Sequence, residues 1–144
     1  MGAVMSTESG RDLTPSMRDS PVRGTVLLVD DDLEITRTFA RWLALEGYAV
    51  RTAADGEAGL REISGADAVI LEARMPLLDG LGFLRRARAS HAHVPVAIVT
   101  GDYLIDQAML SEFRALGARV LFKPLWVDDL VSLATQLLAQ ASRA

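Results

Sequence analysis

Charged and hydroxyl side chains follow four short apolar runs of the sequence, a spacing that could build a site for phosphate or metal chemistry. Three acids at 30–32 follow the first run, Glu72 a later one, Thr100 another and Lys123 the last. Carboxylates are ligands that Mg²⁺ prefers, and a lysine ammonium can offset the charge of a phosphoryl group. Alone, each residue is more often a helix cap or a solvated side chain. Their joint occurrence in this order indicates chemistry.

The elements that must position these residues alternate between short strands and helices. Five β-rich runs are predicted as strands, over residues 25–29, 48–52, 68–71, 94–99 and 120–122. The helical stripes between and after them run from Ile35 to Leu43, over 55–63 and 78–89, from Ile105 to Leu116, and from Val127 to Leu138. This alternation predicts a parallel sheet covered on both faces, and right-handed crossovers make it a doubly wound three-layer α/β sandwich.

Parallel α/β sheets form their sites at the carboxyl ends of the strands. Four of the five predicted strands deliver a polar or charged group to that edge, whereas the second is followed only by two alanines before Asp55. Asp32 and Asp55 are predicted to begin helices, because aspartate is a preferred N-cap residue.

Length and composition fit one soluble domain. The chain has 144 residues, no cysteine and a net charge of -4, which excludes disulfides and argues against a broad nucleic-acid surface. It has no apolar run of the roughly 20 residues that a membrane span requires. No signal-peptide core is present either, so a cytoplasmic protein is expected. Residues 1–23 lack an apolar period and are predicted to be a flexible tail before a domain over 24–144.

The segments VLLVDDD, VILEARMPLLDG, VAIVTGD and LFKPL resemble those of response-regulator receiver domains in two-component phosphorelay signalling. The resemblance starts near residue 24 and implies a flavodoxin-like (βα)5 fold with strand order 2-1-3-4-5. It implies that Asp30 and Asp31 are the acidic pair that holds Mg²⁺, that Thr100 is the hydroxyl residue, and that Lys123 is the site lysine. The bond from Lys123 to Pro124 is then expected to be cis, which is realistic only before proline.

The sequence departs from the family at position 72, where the phosphoacceptor aspartate would stand and Glu72 is found. The extra methylene adds at most about 1.5 Å of reach, which would spoil an in-line attack. Efficient phosphorylation is therefore not expected. In one interpretation Glu72 reaches Lys123 and Thr100 and partly imitates a phosphorylated aspartate. In the other it pairs with Lys123 or helps to bind metal, and the domain is a static binding module.

Two further expectations follow from the resemblance. Val120 stands where receivers often carry a Tyr or Phe that moves on activation, so the usual coupling of that ring to Thr100 is in doubt. Asp30, Asp31 and Glu72 are expected to converge and to repel one another without a cation. We therefore expect weak Mg²⁺ binding through Asp31 and Glu72, with Asp30 acting through water.

Receivers use the fourth helix, fifth strand and fifth helix as a contact face. Its residues here would include Tyr103, Gln107, Arg114, Arg119, Trp126 and Asp129. An exposed Trp126 would be a good interface anchor, although it could instead fold over the end of the core. The expected protein is a single-domain, non-enzymatic receiver that contacts a histidine kinase or a downstream effector, with this face available for a homodimer. No nucleic-acid or membrane partner is expected.

Two other classes compete with this interpretation. A small phosphatase or dehalogenase-type hydrolase could use Asp30 and Asp32, which form a D-x-D pair after the first strand. A flavodoxin-like cofactor binder would need a phosphate loop there, and three acids would repel a phosphate. The MP…DG and KP segments fit a receiver better than either.

Overall fold

The computed structural model describes residues 21–91 and 93–142. Most of the predicted tail, residues 1–20, lies outside this part of the chain. The strands are β1 (Thr25–Val29), β2 (Ala49–Ala53), β3 (Ala68–Leu71), β4 (Val96–Thr100) and β5 (Arg119–Phe122). The helices are α1 (Leu33–Leu45), α2 (Gly56–Glu62), α3 (Gly80–Ser90), α4 (Gln107–Ala115) and α5 (Val127–Ser142).

The five strands pair in parallel in the order β2-β1-β3-β4-β5, which confirms the predicted topology. β1 lies in the middle of three strands, with Val29 beside Ala53 of β2 and Leu71 of β3. The residues that follow β1 and β3 therefore emerge as neighbours.

Two apolar cores cover the two faces of the sheet. Successive residues of a strand point to opposite faces, and in β1 Leu27 and Val29 join one core while Val26 and Leu28 join the other. The first core includes Phe83 of α3, and the second is built with residues of α1 and α5. Full burial of such side chains stabilises the fold by about 1.5–3 kcal/mol each. Burial on both faces explains why the central strands β1, β3 and β4 read as nearly continuous apolar runs.

Four helices begin with an aspartate cap at the carboxyl edge of the sheet. The side chains of Asp32, Asp55, Asp79 and Asp106 accept hydrogen bonds from backbone N–H groups in the first turns of α1 to α4. Such caps satisfy donors that have no partner within the helix. The predicted roles of Asp32 and Asp55 are confirmed.

The predicted start of the third helix at Leu78 is wrong by two residues. Leu77 has a positive φ of 69°, and Asp79 caps the helix, which therefore begins at Gly80. A Cβ atom at position 80 would lie 2.6 Å from the carbonyl oxygen of Glu72. A glycine is thus required here for space, because α3 starts against the backbone that leaves β3.

The fourth and fifth helices also differ from the predicted stripes. Ile105 and Leu116 flank α4 rather than belonging to it, because Asp106 caps its start through the N–H of Met109 and Leu116 is its C-cap residue. Val127 begins α5 but is exposed. The Lys123–Pro124 bond is cis, as expected. Within residues 21–91 and 93–142, none of the helices has the length and apolar character needed to cross a membrane.

Candidate functional site

Backbone hydrogen bonds continue the sheet by one residue past the strand ends. The N–H of Asp30 donates to Ala53 O at 3.1 Å, that of Glu72 to Val29 O at 2.9 Å, and that of Lys123 to Thr100 O at 2.9 Å. The side chains that follow β1, β3 and β5 therefore start from fixed, adjacent points, as the sequence predicts.

Lys123 joins the two nearly buried acids of the site. Its Nζ lies 2.8 Å from Asp30 Oδ2 and 2.8 Å from Glu72 Oε1. The three residues come from β1, β3 and β5, so one ammonium ties together the ends of three strands. A single cation faces two carboxylates, and the pocket keeps an excess of negative charge.

Glu72 has a second set of partners on its other oxygen. Thr100, which is fully buried, donates its hydroxyl to Glu72 Oε2 at 2.5 Å, and the N–H of Arg74 donates to the same atom at 3.1 Å. Both carboxylate oxygens of Glu72 are thus hydrogen-bonded. The longer side chain reaches the lysine and the threonine at once.

Asp30 is also satisfied on both oxygens. Oδ1 accepts the N–H of Asp32 at 2.9 Å, while Oδ2 accepts from Lys123. The Thr36 hydroxyl oxygen lies 3.0 Å from the carbonyl oxygen of Asp32 and 3.3 Å from that of Asp30, and it holds the turn into α1. Asp32 itself caps α1, which leaves the D-x-D pair engaged in structural contacts.

Burial and hydrogen bonding oppose each other at the three charged groups. Burial raises the pKa of Asp30 above its ordinary value, and the hydrogen bond from Lys123 offsets this only in part. Burial also acts to raise the pKa of Glu72, but hydrogen bonds from Lys123, Thr100 and the N–H of Arg74 outweigh it, and the pKa is lowered. For Lys123, burial acts to lower the pKa, while its hydrogen bonds to both acids raise it above the ordinary value. Glu72 is therefore the acid that holds its charge more firmly.

The expected convergence of three acids is wrong for this arrangement. Asp31 is exposed and takes no part in the hydrogen bonds above. In the described ranges 21–91 and 93–142, no three His, Cys, Asp or Glu side chains are grouped so that they could hold a metal ion. The physical reason is that Lys123 draws Asp30 and Glu72 onto its ammonium. The donor chemistry suits Mg²⁺, but the ion would have to share or replace that ammonium.

Two residues of the site were not assigned by the sequence analysis. Arg74 Nε lies 2.8 Å from Asp102 Oδ2, and the N–H of Asp102 donates to Thr100 Oγ1 at 3.1 Å. Their position directly after β3 and β4 was the available signal, but their pairing depends on side-chain reach across two loops.

Residues of the predicted contact face lie at the surface. Tyr103 and Trp126 are 65% and 67% exposed, so Trp126 does not fold over the core. Gln107, Arg114, Arg119 and Asp129 are exposed as well. Tyr103 stacks on Phe122, with ring centroids 5.8 Å apart, and its hydroxyl donates to the carbonyl of Lys123. Val120 is half-buried and packs against the first core.

Comparison with known proteins agrees with this geometry. The family model of the response regulator receiver domain matches residues 26–135. The transcriptional regulatory protein PrrA of Mycobacterium tuberculosis is 34% identical over 115 residues, which cover 78% of this chain and 49% of that protein. The response regulator MprA of a Mycobacterium species is 32% identical over 124 residues, covering 85% and 53%. This chain thus spans about half the length of the curated relatives it matches.

Solved structures show the same fold. A response regulator receiver domain protein from Clostridium thermocellum has a TM-score of 0.75 and 29% identity, covering 83% of this chain and 98% of that one. A CheY-like receiver domain protein from Methanospirillum hungatei has a TM-score of 0.77 over 83% of this chain and 97% of its own. Its identity is 24%, so that likeness concerns the fold alone.

Proposed function

The chain belongs to the response-regulator receiver family of two-component signalling, and we propose that it is an atypical member whose Glu72 does not accept a phosphoryl group efficiently. It is not an enzyme in this proposal. Its site is a structural and signalling centre, and its effects pass to other proteins through contact.

One observation carries this proposal, namely the full set of donors around the Glu72 carboxylate. Lys123, the hydroxyl of Thr100 and the N–H of Arg74 all donate to it. By the family resemblance, Thr100 and Lys123 are the groups that would bind a transferred phosphoryl group. In this chain they already bind the side chain at position 72, so its oxygens are engaged and an in-line attack is disfavoured.

These contacts favour partial imitation of a phosphorylated aspartate over a static ion pair. A static pair needs Lys123 alone, whereas the carboxylate also receives the buried hydroxyl of Thr100. A carboxylate has less charge and fewer acceptor oxygens than a phosphoryl group. The imitation is therefore expected to be incomplete, with the domain held between its two signalling states.

The first experiment tests phosphorylation directly. The chain and its Glu72→Asp variant are incubated with Mg²⁺ and acetyl phosphate, and the intact mass is measured, with Glu72→Gln as the control that lacks a carboxylate. We expect an adduct on Glu72→Asp alone. A stoichiometric adduct on the parent chain, mapped to Glu72, would refute the proposal.

A second experiment separates imitation from a static pair. Amide NMR shifts of residues 100–106 are compared among the parent, Glu72→Asp, and Glu72→Asp after acetyl phosphate. Imitation places the parent shifts between the two states of the variant. Parent shifts that coincide with unphosphorylated Glu72→Asp would leave the static ion pair as the correct interpretation.

We propose that Mg²⁺ binds weakly at the carboxyl edge of β1. The three acids are not grouped in the arrangement described above, so the oxygens of Glu72 would first have to turn away from Lys123. The exposed Asp31 would then hold the ion with Glu72, and with Asp30 through water, and competition from Lys123 for the oxygens of Asp30 and Glu72 makes this binding weak. When bound, the ion would offset negative charge in the pocket. At a Mg²⁺ concentration near its dissociation constant we expect the Tm to rise by about 1–2 °C. Identical melting curves with Mg²⁺ and with a chelator would contradict this.

We propose that the partner face comprises α4, β5, α5 and the loop that carries Tyr103. Its exposed aromatic residues, Tyr103 and Trp126, are of the type that anchors interfaces. A histidine kinase, a downstream effector or a second copy of the chain would bind there. Sedimentation of the parent and of Trp126→Ala tests the last case. Self-association that Trp126→Ala weakens supports a homodimer on this face, and a monomer at all concentrations excludes it.

A further inference from the structure

We propose that Arg74 and Asp102 form a clasp that holds the β4–α4 loop, residues 101–106, in the position set by Glu72. Through this clasp the Glu72 carboxylate would determine how Tyr103 and Leu104 are presented at the surface. The clasp rests on the proposed function in one respect, namely that Glu72 is the group to which the loop responds.

The clasp closes a ring of hydrogen bonds that begins and ends at one oxygen. Glu72 Oε2 accepts from Thr100 Oγ1 and from the N–H of Arg74. The side chain of Arg74 donates to Asp102 Oδ2, and the N–H of Asp102 donates to Thr100 Oγ1. Each member has two partners within the ring. A displacement of Glu72 therefore disturbs the loop through Thr100 and through Arg74 together.

The same loop is tied to β5 on its other side. Asp102 Oδ1 accepts the N–H of Leu104 at 3.0 Å, which fixes the turn that carries Tyr103. The Tyr103 hydroxyl donates to the carbonyl of Lys123, and its ring lies on Phe122. Since Lys123 also pairs with Glu72, both anchors of the loop lead back to the same carboxylate.

Packing contributes little to holding this loop. Within residues 101–106, Ile105 is the buried side chain, whereas Leu104 is 92% exposed. A segment with few buried apolar contacts opens easily unless polar bonds restrain it. The clasp thus supplies the restraint, and it does so in a chain where Val120 offers no mobile ring.

An isolated surface ion pair would be a weak restraint, since solvent and salt screen its charges and two long side chains must be ordered. The Arg74–Asp102 pair differs because both residues also use their backbone N–H groups in the ring. In keeping with this contact, the hydrogen bond from Arg74 lowers the pKa of Asp102.

Amide hydrogen exchange of Tyr103 and Leu104, followed by NMR, tests the clasp. Arg74→Gln and Asp102→Asn remove the ionic contact but keep the backbone N–H groups that bind Glu72 and Thr100. We expect exchange at Leu104 to accelerate about fivefold or more in each variant. The double variant should exchange no faster than Asp102→Asn, because both changes remove the same ionic contact and only Asp102→Asn also weakens the acceptor of the Leu104 N–H.

Arg86→Gln is the matched control. Arg86 is 57% exposed and pairs with Glu57 at 3.4 Å, while Arg74 is 52% exposed. The control should leave exchange at Leu104 unchanged. Arg74→Lys restores a cation, so exchange at Leu104 should be slower in this variant than in Arg74→Gln. If Arg74 acted only through the size of its side chain, the two variants should exchange at the same rate.

Glu72→Gln tests whether the loop responds to the carboxylate. Exchange at Leu104 should rise in this variant, and adding Arg74→Gln should raise it no further. Unchanged exchange in Arg74→Gln and Asp102→Asn would overturn the clasp. Unchanged exchange in Glu72→Gln would overturn its link to the site. Neither result alters the adduct measurement on the parent chain, so failure of the clasp and failure of the proposed function are distinguishable.

Discussion

The two ends of the sheet use charge in different ways. At the end opposite the site, arginines bind backbone carbonyls at helix C-termini: Arg23 binds Glu46 O, Arg51 binds Glu62 O, and Arg88 binds Leu116 O. At the carboxyl edge, Lys123 binds the side chains of Asp30 and Glu72. A carbonyl is present whatever the residue type, whereas a carboxylate can be protonated, replaced or modified. The arginine contacts at the end opposite the site therefore stabilise the fold, whereas the contacts at the carboxyl edge can change with the chemical state of a carboxylate.

The strongest test of this difference is Lys123→Met. It would leave two nearly buried carboxylates without their shared cation, and breaking a buried pair costs about 3 kcal/mol of unfolding free energy. Urea denaturation at pH 7 measures the loss. Placed in the Glu72→Asp background, the same change should also abolish the acetyl phosphate adduct. A stable variant that still forms the adduct would show that Lys123 has no part in the site.

Arg88→Met is the corresponding change at the other end. Arg88 donates to the carbonyls of Leu116 and Val94, both at 2.7 Å. Leaving such partly buried acceptors unpaired costs about 1–3 kcal/mol. In the Glu72→Asp background we expect lower stability with unchanged adduct formation. Loss of the adduct in a protein that remains folded would show that the two ends are not separable.

Asp55→Ala tests whether an aspartate at the carboxyl edge that lies outside the site also affects the β4–α4 loop. Asp55 follows β2, the strand that contributes no charged group to the site, and it caps α2 through the N–H of Ala58 at 2.7 Å. Losing this cap should cost about 1 kcal/mol. Thermal denaturation measures the cost, and the exchange rate at Leu104 should not change. A faster rate at Leu104 would mean that α2 also supports the loop.

The smallest expected effect concerns acid pH. The pKa of Glu72 lies below its ordinary value of 4.5, so its contribution is fully present above pH 4.5 and is lost as the pH falls through the folded-state value. Asp30, with a raised pKa, opposes this trend in part. Urea denaturation from pH 7 to pH 3 should therefore show a steeper loss for the parent than for Glu72→Gln. If stability fell equally with pH in the parent and in Glu72→Gln, the result would contradict the lowered pKa of Glu72.

The sequence predicted those features that depend on local pattern or on topology alone. The apolar runs of β1 and β3, the cap at Asp32 and the meeting of Asp30, Glu72, Thr100 and Lys123 follow from strand periodicity and parallel pairing. These inferences need no knowledge of side-chain conformation.

The features that were missed depend on side-chain reach. The prediction that Asp30, Asp31 and Glu72 converge was wrong because the ammonium of Lys123 pairs with Asp30 and Glu72, while Asp31 is exposed. The Arg74–Asp102 pair joins loops 28 residues apart in the chain, and no periodicity signals it. The start of α3 was misplaced because the apolar Leu78 extends the helical pattern to the N-terminal side of the cap at Asp79.

Gly80 offers indirect control over the site. Its backbone lies so near the outgoing end of β3 that one added methyl group would press on the carbonyl of Glu72. That pressure would shift the main chain from which the carboxylate extends, together with the backbone of Ala73, whose Cα would lie 2.9 Å from the added atom. A substitution at position 80 would therefore move the carboxylate of Glu72 by displacing its backbone, while the residue at position 72 stays a glutamate.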